Sequence, residues 1–178
     1  MPDVLGAVYD FLQAHISPLP EQIVRGWQNR AALPDASEYV VLTLINAPRR
    51  GTNVHEWRNS GDDALIERVR MLVLYDVQVD FCGLDEARVG HQAAQLVMLG
   101  RDAAAVRFFR PYGLAGLYAD DPRSLPFADD LDQWKVRYSV TLHLSAWIDA
   151  DIPLPSFRSV NLYLENVDVH HPVQRKGV

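Results

Sequence analysis

The most regular pattern in this sequence is an alternation of side chains across residues 66–81. The odd positions are apolar, and they comprise Val69, Met71, Val73, Tyr75, Val77, Val79 and Phe81. The even positions are mostly charged or polar, and they comprise Arg68, Arg70, Asp76, Gln78 and Asp80, interrupted by Leu72 and Leu74. Because successive side chains of a strand point to opposite faces, this pattern predicts one long strand in a sheet with one buried and one wetter side.

The same alternation returns across residues 134–148. Its inward positions are predicted to be Trp134, Val136, Tyr138, Val140, Leu142, Leu144, Ala146 and Ile148. Pro153 and Pro155 then predict a loop, and a last strand is predicted over residues 160–169. Apolar and β-branched residues over 38–45 predict a further strand nearer the N-terminus.

Apolar residues at three- and four-residue spacing predict helices on either side of the long strand. The first spans about residues 3–15, with Asp3 as N-cap and an apolar stripe of Val4, Leu5, Val8, Phe11, Leu12 and His15. The second begins at Asp85, and Val89, Ala93, Leu96 and Val97 share one of its faces. Gly100 is predicted to interrupt it, and Asp102 to cap a continuation whose Val106 and Phe109 face inward, which ends at Pro111 and Gly113.

The order helix, strand, arm, long strand, helix, strand, strand predicts an α+β fold. We expect a mostly antiparallel sheet with helices packed on one face, in a single domain over residues 1–178. Residues 46–63 are mostly polar or turn-forming and predict an exposed β-arm with too few apolar residues to bury itself. Residues 112–132, with their prolines and aspartates, predict a long loop.

Charge and cysteine content exclude several classes of protein. A formal net charge of −6 and a pI of about 5.4 argue against a protein that grips nucleic acid through its phosphates. The N-terminal segment has no basic region of a secretory signal, and no apolar run approaches the ~20 residues of a membrane span. The single cysteine, Cys82, excludes an internal disulfide and is predicted to be a small buried thiol.

Candidate catalytic or metal-binding groups are sparse. Asp168, His170 and His171 cluster near the C-terminus, where Asp168 and His170 share a strand face and could supply two metal ligands, but a third and fourth are not visible. His55 and His143 are isolated on strand-like segments, which favours hydrogen-bonded or solvated roles over catalysis. The loop carboxylates are predicted to be solvated, and they comprise Asp62, Asp63, Asp120, Asp121, Asp129, Asp130 and Asp132.

One succession of residues points to a family. Gln28, Asn29, Arg30 and Pro34 precede the 38–45 strand, and Arg49, Arg50, Gly51, Thr52 and Asn53 follow it. This succession resembles the neck and tail terminator proteins of tailed bacteriophages. The order of residues in the second half is similar to theirs as well: Phe109, Pro111, Gly113, Asp121, Pro122, Arg123, Leu125, Pro126, Phe127, Gln133 and Arg137.

The resemblance implies a structural virion protein without catalytic residues or cofactor. It implies a ring, of six subunits, at the head-proximal end of the tail tube, assembled in the host cytoplasm and located at the neck. The implied partners are further copies of the chain, the tail tube protein, a head-completion or connector protein and, in a sheathed tail, the sheath. DNA would pass through the lumen without sequence-specific binding, past carboxylates that repel phosphate.

Arg49, Arg50, Asn53 and Trp57, all on the arm, are the candidate interface residues. Two other classes of function stay open at this stage. One is a small metal-dependent enzyme that uses Asp168, His170 and His171, and the other is a monomeric module whose arm binds a peptide or protein.

Overall fold

A computed structural model of the chain describes residues 2–17, 22–26, 37–59, 65–128 and 134–154. Its sheet is built on two long antiparallel strands, β4 (Leu65–Gly83) and β8 (Trp134–Leu154), which pair along the whole of β4. The other strands are β1 (Ile23–Arg25), β2 (Tyr39–Asn46), β3 (Arg49–Asn59), β5 (Ala115–Ala119), β6 (Arg123–Ser124) and β7 (Phe127–Ala128). The helices are α1 (Val4–His15), α2 (Glu86–Gly100) and α3 (Ala103–Phe109), and a single 3-10 turn, Arg110–Tyr112, follows α3.

The strands form an eight-stranded sheet in the order β1-β2-β4-β8-β5. All pairs are antiparallel except β1 with β2. β3 pairs with the first half of β4, and β6 and β7 pair with β8. The α+β fold with a mostly antiparallel sheet is therefore confirmed.

The hydrophobic core lies between the helices and one face of the sheet. On β4 it takes the predicted odd positions, where Val73, Tyr75, Val77, Val79 and Phe81 are buried. On β8 it takes the even positions, and the helices contribute apolar residues from their inward faces. The buried residues of these other elements are Val140, Leu142, Leu144, Ala146, Val4, Val8, Phe11, Leu12, Val89, Ala93, Leu96, Ala105 and Phe109.

Aspartate side chains cap all three helices. Asp3 accepts a hydrogen bond from the backbone N–H of Gly6 at 3.0 Å. Asp85 and Asp102 do the same for α2 and α3. Because the first N–H groups of a helix have no partner within it, these carboxylates fix where each helix begins, as the sequence predicted.

The 112–132 segment differs from the predicted long loop. Its residues 115–128 contain β5, β6 and β7, which pair in turn with the outer edge of β8. The pairings are two to five residues long, too short to leave an alternating pattern in sequence. A long neighbouring strand therefore organises a segment whose composition is that of a loop.

Three side-chain or boundary predictions were also wrong. Val106 is half exposed, and Ala105 takes its inward place on α3. Trp134 is 73% exposed at the start of β8. β8 continues to Leu154 through Pro153, which is tolerated because the strand has no described neighbour on its outer side there. The predicted 160–169 strand lies outside the described residues, and within them no helix is long and apolar enough to cross a membrane.

Candidate assembly interface

Three strands extend into an exposed arm. The arm consists of β3, residues 65–72 of β4 and residues 147–154 of β8, in the order β3-β4-β8. All eleven residues of β3 are exposed. The sequence predicted an exposed β-arm over 46–63 with too few apolar residues to bury itself. In the structure β3 finds its hydrogen-bonding partner within the chain, because β4 begins as early as Leu65.

The four predicted interface residues, Arg49, Arg50, Asn53 and Trp57, all lie on β3. Trp57 is 62% exposed, and neither arginine has an ion-pair partner among the described residues. Such a surface is suited to contact with another protein, since tryptophan and arginine are enriched at interfaces.

The Gly51, Thr52 and Asn53 part of the motif forms an irregularity in β3. Arg50 pairs with Leu72 and Val54 with Arg70, so β3 carries two more residues than β4 across this step. Gly51 has a φ of 72°, in the left-handed region that favours glycine. The left-handed backbone conformation at this irregularity therefore explains why a glycine occurs at this position of the motif.

Other predicted residues fall outside the described chain. These are the motif residues Gln28, Asn29, Arg30 and Pro34, the candidate metal cluster Asp168, His170 and His171, and the loop carboxylates Asp62, Asp63, Asp129, Asp130 and Asp132. Within the described ranges, no group of three or more His, Cys, Asp or Glu side chains is placed to hold a metal ion.

One face of the arm carries a network of ion pairs that was not predicted from the sequence. Its contacts are Arg58–Asp151 at 2.8 Å, Arg68–Asp151 at 2.7 Å, Arg70–Asp149 at 3.1 Å and Arg70–Glu56 at 3.1 Å. Arg68 binds Asp151 through two nitrogens, and this hydrogen bonding lowers the pKa of Asp151 to about 2. Arg70 also lies 5.0 Å from the ring centre of Trp147. Each exposed pair stabilises little alone, but together the contacts span all three strands of the arm.

A signal for this network was present in the sequence. Arg68 and Arg70 stand two residues apart, as do Asp149 and Asp151. Side chains two apart share a strand face, and opposite charges on facing strands attract. What the sequence lacked was the register that sets Arg68 opposite Asp151 and Arg70 opposite Asp149.

The opposite face of the arm is more apolar and continues from the core. It carries Met71 and Ile148, which pack against the core, and the more exposed Trp57 and Ile152. His55 lies on the same face, where its Nδ1 is 2.6 Å from Glu67 Oε1 and its ring stacks on Trp57. The hydrogen-bonded interpretation of His55 is confirmed.

The polar face of the main sheet carries a cleft of about 510 Å³, lined by Tyr39, Thr43, Asp80, Cys82 and Arg137 among others. Cys82 is 3% exposed, and burial raises the pKa of its thiol to about 11. The thiol is therefore neutral near pH 7 and a poor nucleophile, as expected for a small buried cysteine.

His143 joins three segments on the same polar face. Its Nδ1 is hydrogen-bonded to Asp76 Oδ1 at 2.7 Å, its Nε2 lies 3.3 Å from Asp120 Oδ2, and its ring stacks on Tyr118. Arg101 binds Asp121 at 2.8 Å. The side chains of Asp120 and Asp121 are 41% and 84% exposed, so the prediction that they are solvated is confirmed, although each also contacts a side chain distant in sequence.

Among the described residues, ion pairs link the three strands of an arm whose strand β3 is exposed throughout. The chain belongs to the phage neck terminator protein family, whose model matches residues 6–170. This confirms the resemblance inferred from the sequence, and it makes the chain a structural phage neck protein and hence a virion component. No curated protein matches the chain.

Proposed function

We propose that this protein forms a ring at the head-proximal end of the tail tube, where it ends tube growth and joins the tail to the head connector. The observation that carries the proposal is the arm, in which β3 pairs with β4 along one edge yet leaves all eleven of its residues exposed. A strand whose residues are all exposed, among them a tryptophan and two arginines with no described ion pair, is well suited to contacts with other subunits.

The ring has six copies, as the family resemblance implies. Its two faces bind different partners: the tail tube protein on one side and a head-completion or connector protein on the other. A sheathed tail adds the sheath as a third partner. Genome DNA passes through the lumen without sequence-specific binding, which is in keeping with a net charge of −6 on each subunit.

Electron microscopy of complete virions and isolated tails, with this subunit labelled, tests the location. We expect one collar of label at the head–tail junction and none along the tube. Particles made without the protein should yield unjoined heads and tails of irregular length. Absence of the label from the junction would overturn the proposal.

Native mass spectrometry of the released neck tests the stoichiometry. A single assembly with six copies is expected. A different fixed number would correct the count and keep the ring, whereas a single bound copy would favour a monomeric binding module instead.

A further inference from the structure

We propose that the arms of neighbouring copies join edge to edge, with β3 of one copy pairing with residues 147–154 of β8 in the next. The inference deepens the proposed function, on whose ring it rests. Its consequence is a sheet that continues from one subunit to the next through the arms.

In the described part of the chain, the arm has two open strand edges. β3 pairs only with β4 among the described residues, so the outer edge of residues 49–58 is unpaired. On the other side, the pairing of β5 with β8 ends at Ala115 and Ser145, which leaves residues 147–154 without a described outer neighbour. Open edges offer backbone N–H and C=O groups to another chain, and proteins usually protect them. Pro153 protects only the tip of β8, and β3 contains no proline.

The two edges carry opposite formal charge. β3 has three arginines, Arg49, Arg50 and Arg58, against one acid, Glu56, which leaves a charge of +2. Residues 147–154 of β8 have Asp149 and Asp151 and no basic residue, which gives −2. A contact between two like edges would bring equal charges together, and a contact between unlike edges brings opposite charges together.

Pairing of unlike edges is a head-to-tail contact, and such contacts close into rings when the rotation permits. The strand directions allow it. β3 and β8 both run antiparallel to β4, and therefore run in the same direction. Rotation about a ring axis aligned with the arm preserves that direction, so β3 would meet the next β8 as a parallel strand.

The acidic side chains of the β8 edge remain accessible to a neighbour. The side chains of Asp149 and Asp151 are 37% and 43% exposed although they pair with arginines of their own arm. Arg50 is level with Leu72 and, across the sheet, with Trp147. A shift of two residues along the strand would set the unpaired Arg50 opposite Asp149 of the next copy, where it would extend the existing network.

Cysteine cross-linking tests this contact in the full chain. Asn53→Cys, His55→Cys and Trp57→Cys would each be combined with Ala150→Cys, because three positions on β3 sample three registers against one on β8. The native Cys82 can stay, since it is buried, and the wild-type chain is the blank. After assembly on tail tubes and mild oxidation, at least one double variant should give a ladder of covalent oligomers on a denaturing gel.

On the denaturing gel the single variants should run as monomers, because each has a new cysteine on only one of the two unlike edges. Dimers from a single β3 variant would mean that like edges meet, and would overturn the proposal. Ala94→Cys, exposed on α2, combined with Ala150→Cys is the matched control and should give no ladder. Arg49→Glu with Arg50→Glu, added to the best double variant, should abolish the ladder.

The outcomes separate this inference from the proposed function. A collar at the head–tail junction with no ladder from any register overturns the edge pairing and leaves the function intact. A ladder from a subunit that is absent from the junction supports the edge pairing and overturns the function.

Discussion

At the scale of single residues, Leu142 tests how much the buried face of β8 contributes to the free energy of unfolding. It is fully buried opposite Val77, and one of its methyl carbons lies near Gly100 of α2. Replacing Leu142 by Ala should lower the free energy of unfolding by about 2 to 5 kcal/mol, because it removes buried volume that the surroundings cannot fully refill. Urea melts of the isolated chain measure the loss.

Thr141 is the matched control, since it lies one residue away on the polar face and is only partly buried. Thr141→Ala should cost less than about 1.5 kcal/mol. Equal losses at the two positions would mean that both sheet faces are buried in the isolated chain. A larger loss at Thr141 would contradict the assigned facing.

Two glycines of α2 should respond to alanine with opposite sign. A β-carbon at Gly100 would lie 2.9 Å from the β-carbon of Ala119, which cannot move without its backbone. A β-carbon at Gly90 would be 3.6 Å from the Tyr138 ring, an ordinary contact.

We therefore expect Gly100→Ala to destabilise the fold by about 1 to 3 kcal/mol through overpacking. Gly90→Ala should stabilise it by about 0.5 to 1 kcal/mol, because alanine loses less backbone entropy in a helix interior. Thermal melts of the two variants compare them directly. Stabilisation at both sites would show that α2 can shift away from β5 without cost.

At the scale of elements, ion pairs link the three strands of the arm, and the pKa of Asp151 reports on them. The pKa of Asp151 is about 2 because Arg68, then Arg58, favours the charged carboxylate. A lowered pKa means that this contribution to stability is complete above the ordinary pKa of about 3.9. It is then lost as the pH falls from about 4 towards 2.

Replacing Arg68 by Gln should raise the pKa of Asp151 from about 2 towards its ordinary value, because the hydrogen bonds from Arg68 are the largest cause of the lowered pKa. Carboxyl chemical shifts followed by NMR against pH measure this. Arg101→Gln is the control, because Arg101 pairs with Asp121 away from the arm and should leave Asp151 unchanged. A pKa still near 2 in the Arg68 variant would show that Arg58 alone is enough to hold the carboxylate charged, and would contradict the leading role of Arg68.

At the scale of the whole molecule, folding and assembly should separate at Arg49 and Arg50. Both are exposed on β3 and have no described ion pair, so changing them to Glu should alter the free energy of unfolding by no more than about 0.5 kcal/mol. Assembly should nevertheless fail, because the charge of the β3 edge is reversed. Urea melts and negative-stain images of the neck measure the two properties on one variant.

Lys135→Glu offers a comparison, since it reverses one basic charge on the main part of β8, away from the arm. It should assemble as the wild type does. If the double arginine variant unfolds, or if it assembles normally, the assignment of these arginines to a subunit contact is wrong.

The sequence by itself determined the two faces of β4 and β8, the three aspartate caps and the family. Each of these depends on neighbours within a few residues: alternation assigns a strand's faces, and a carboxylate reaches an N–H two or three positions on. Helix α3 shows the limit of prediction from the sequence. Ala105 and Val106 are adjacent, and only packing decided which of them is buried.

Only the tertiary structure decided which strands pair and which distant side chains contact each other. β3 pairs antiparallel with the first half of β4, the next strand along the chain, because β4 and β8 extend past the core and offer an edge for it to pair with. Asp76 meets His143, and Arg68 meets Asp151, across more than sixty positions of chain. Such contacts depend on strand register, which the whole sheet determines and no local window of sequence contains.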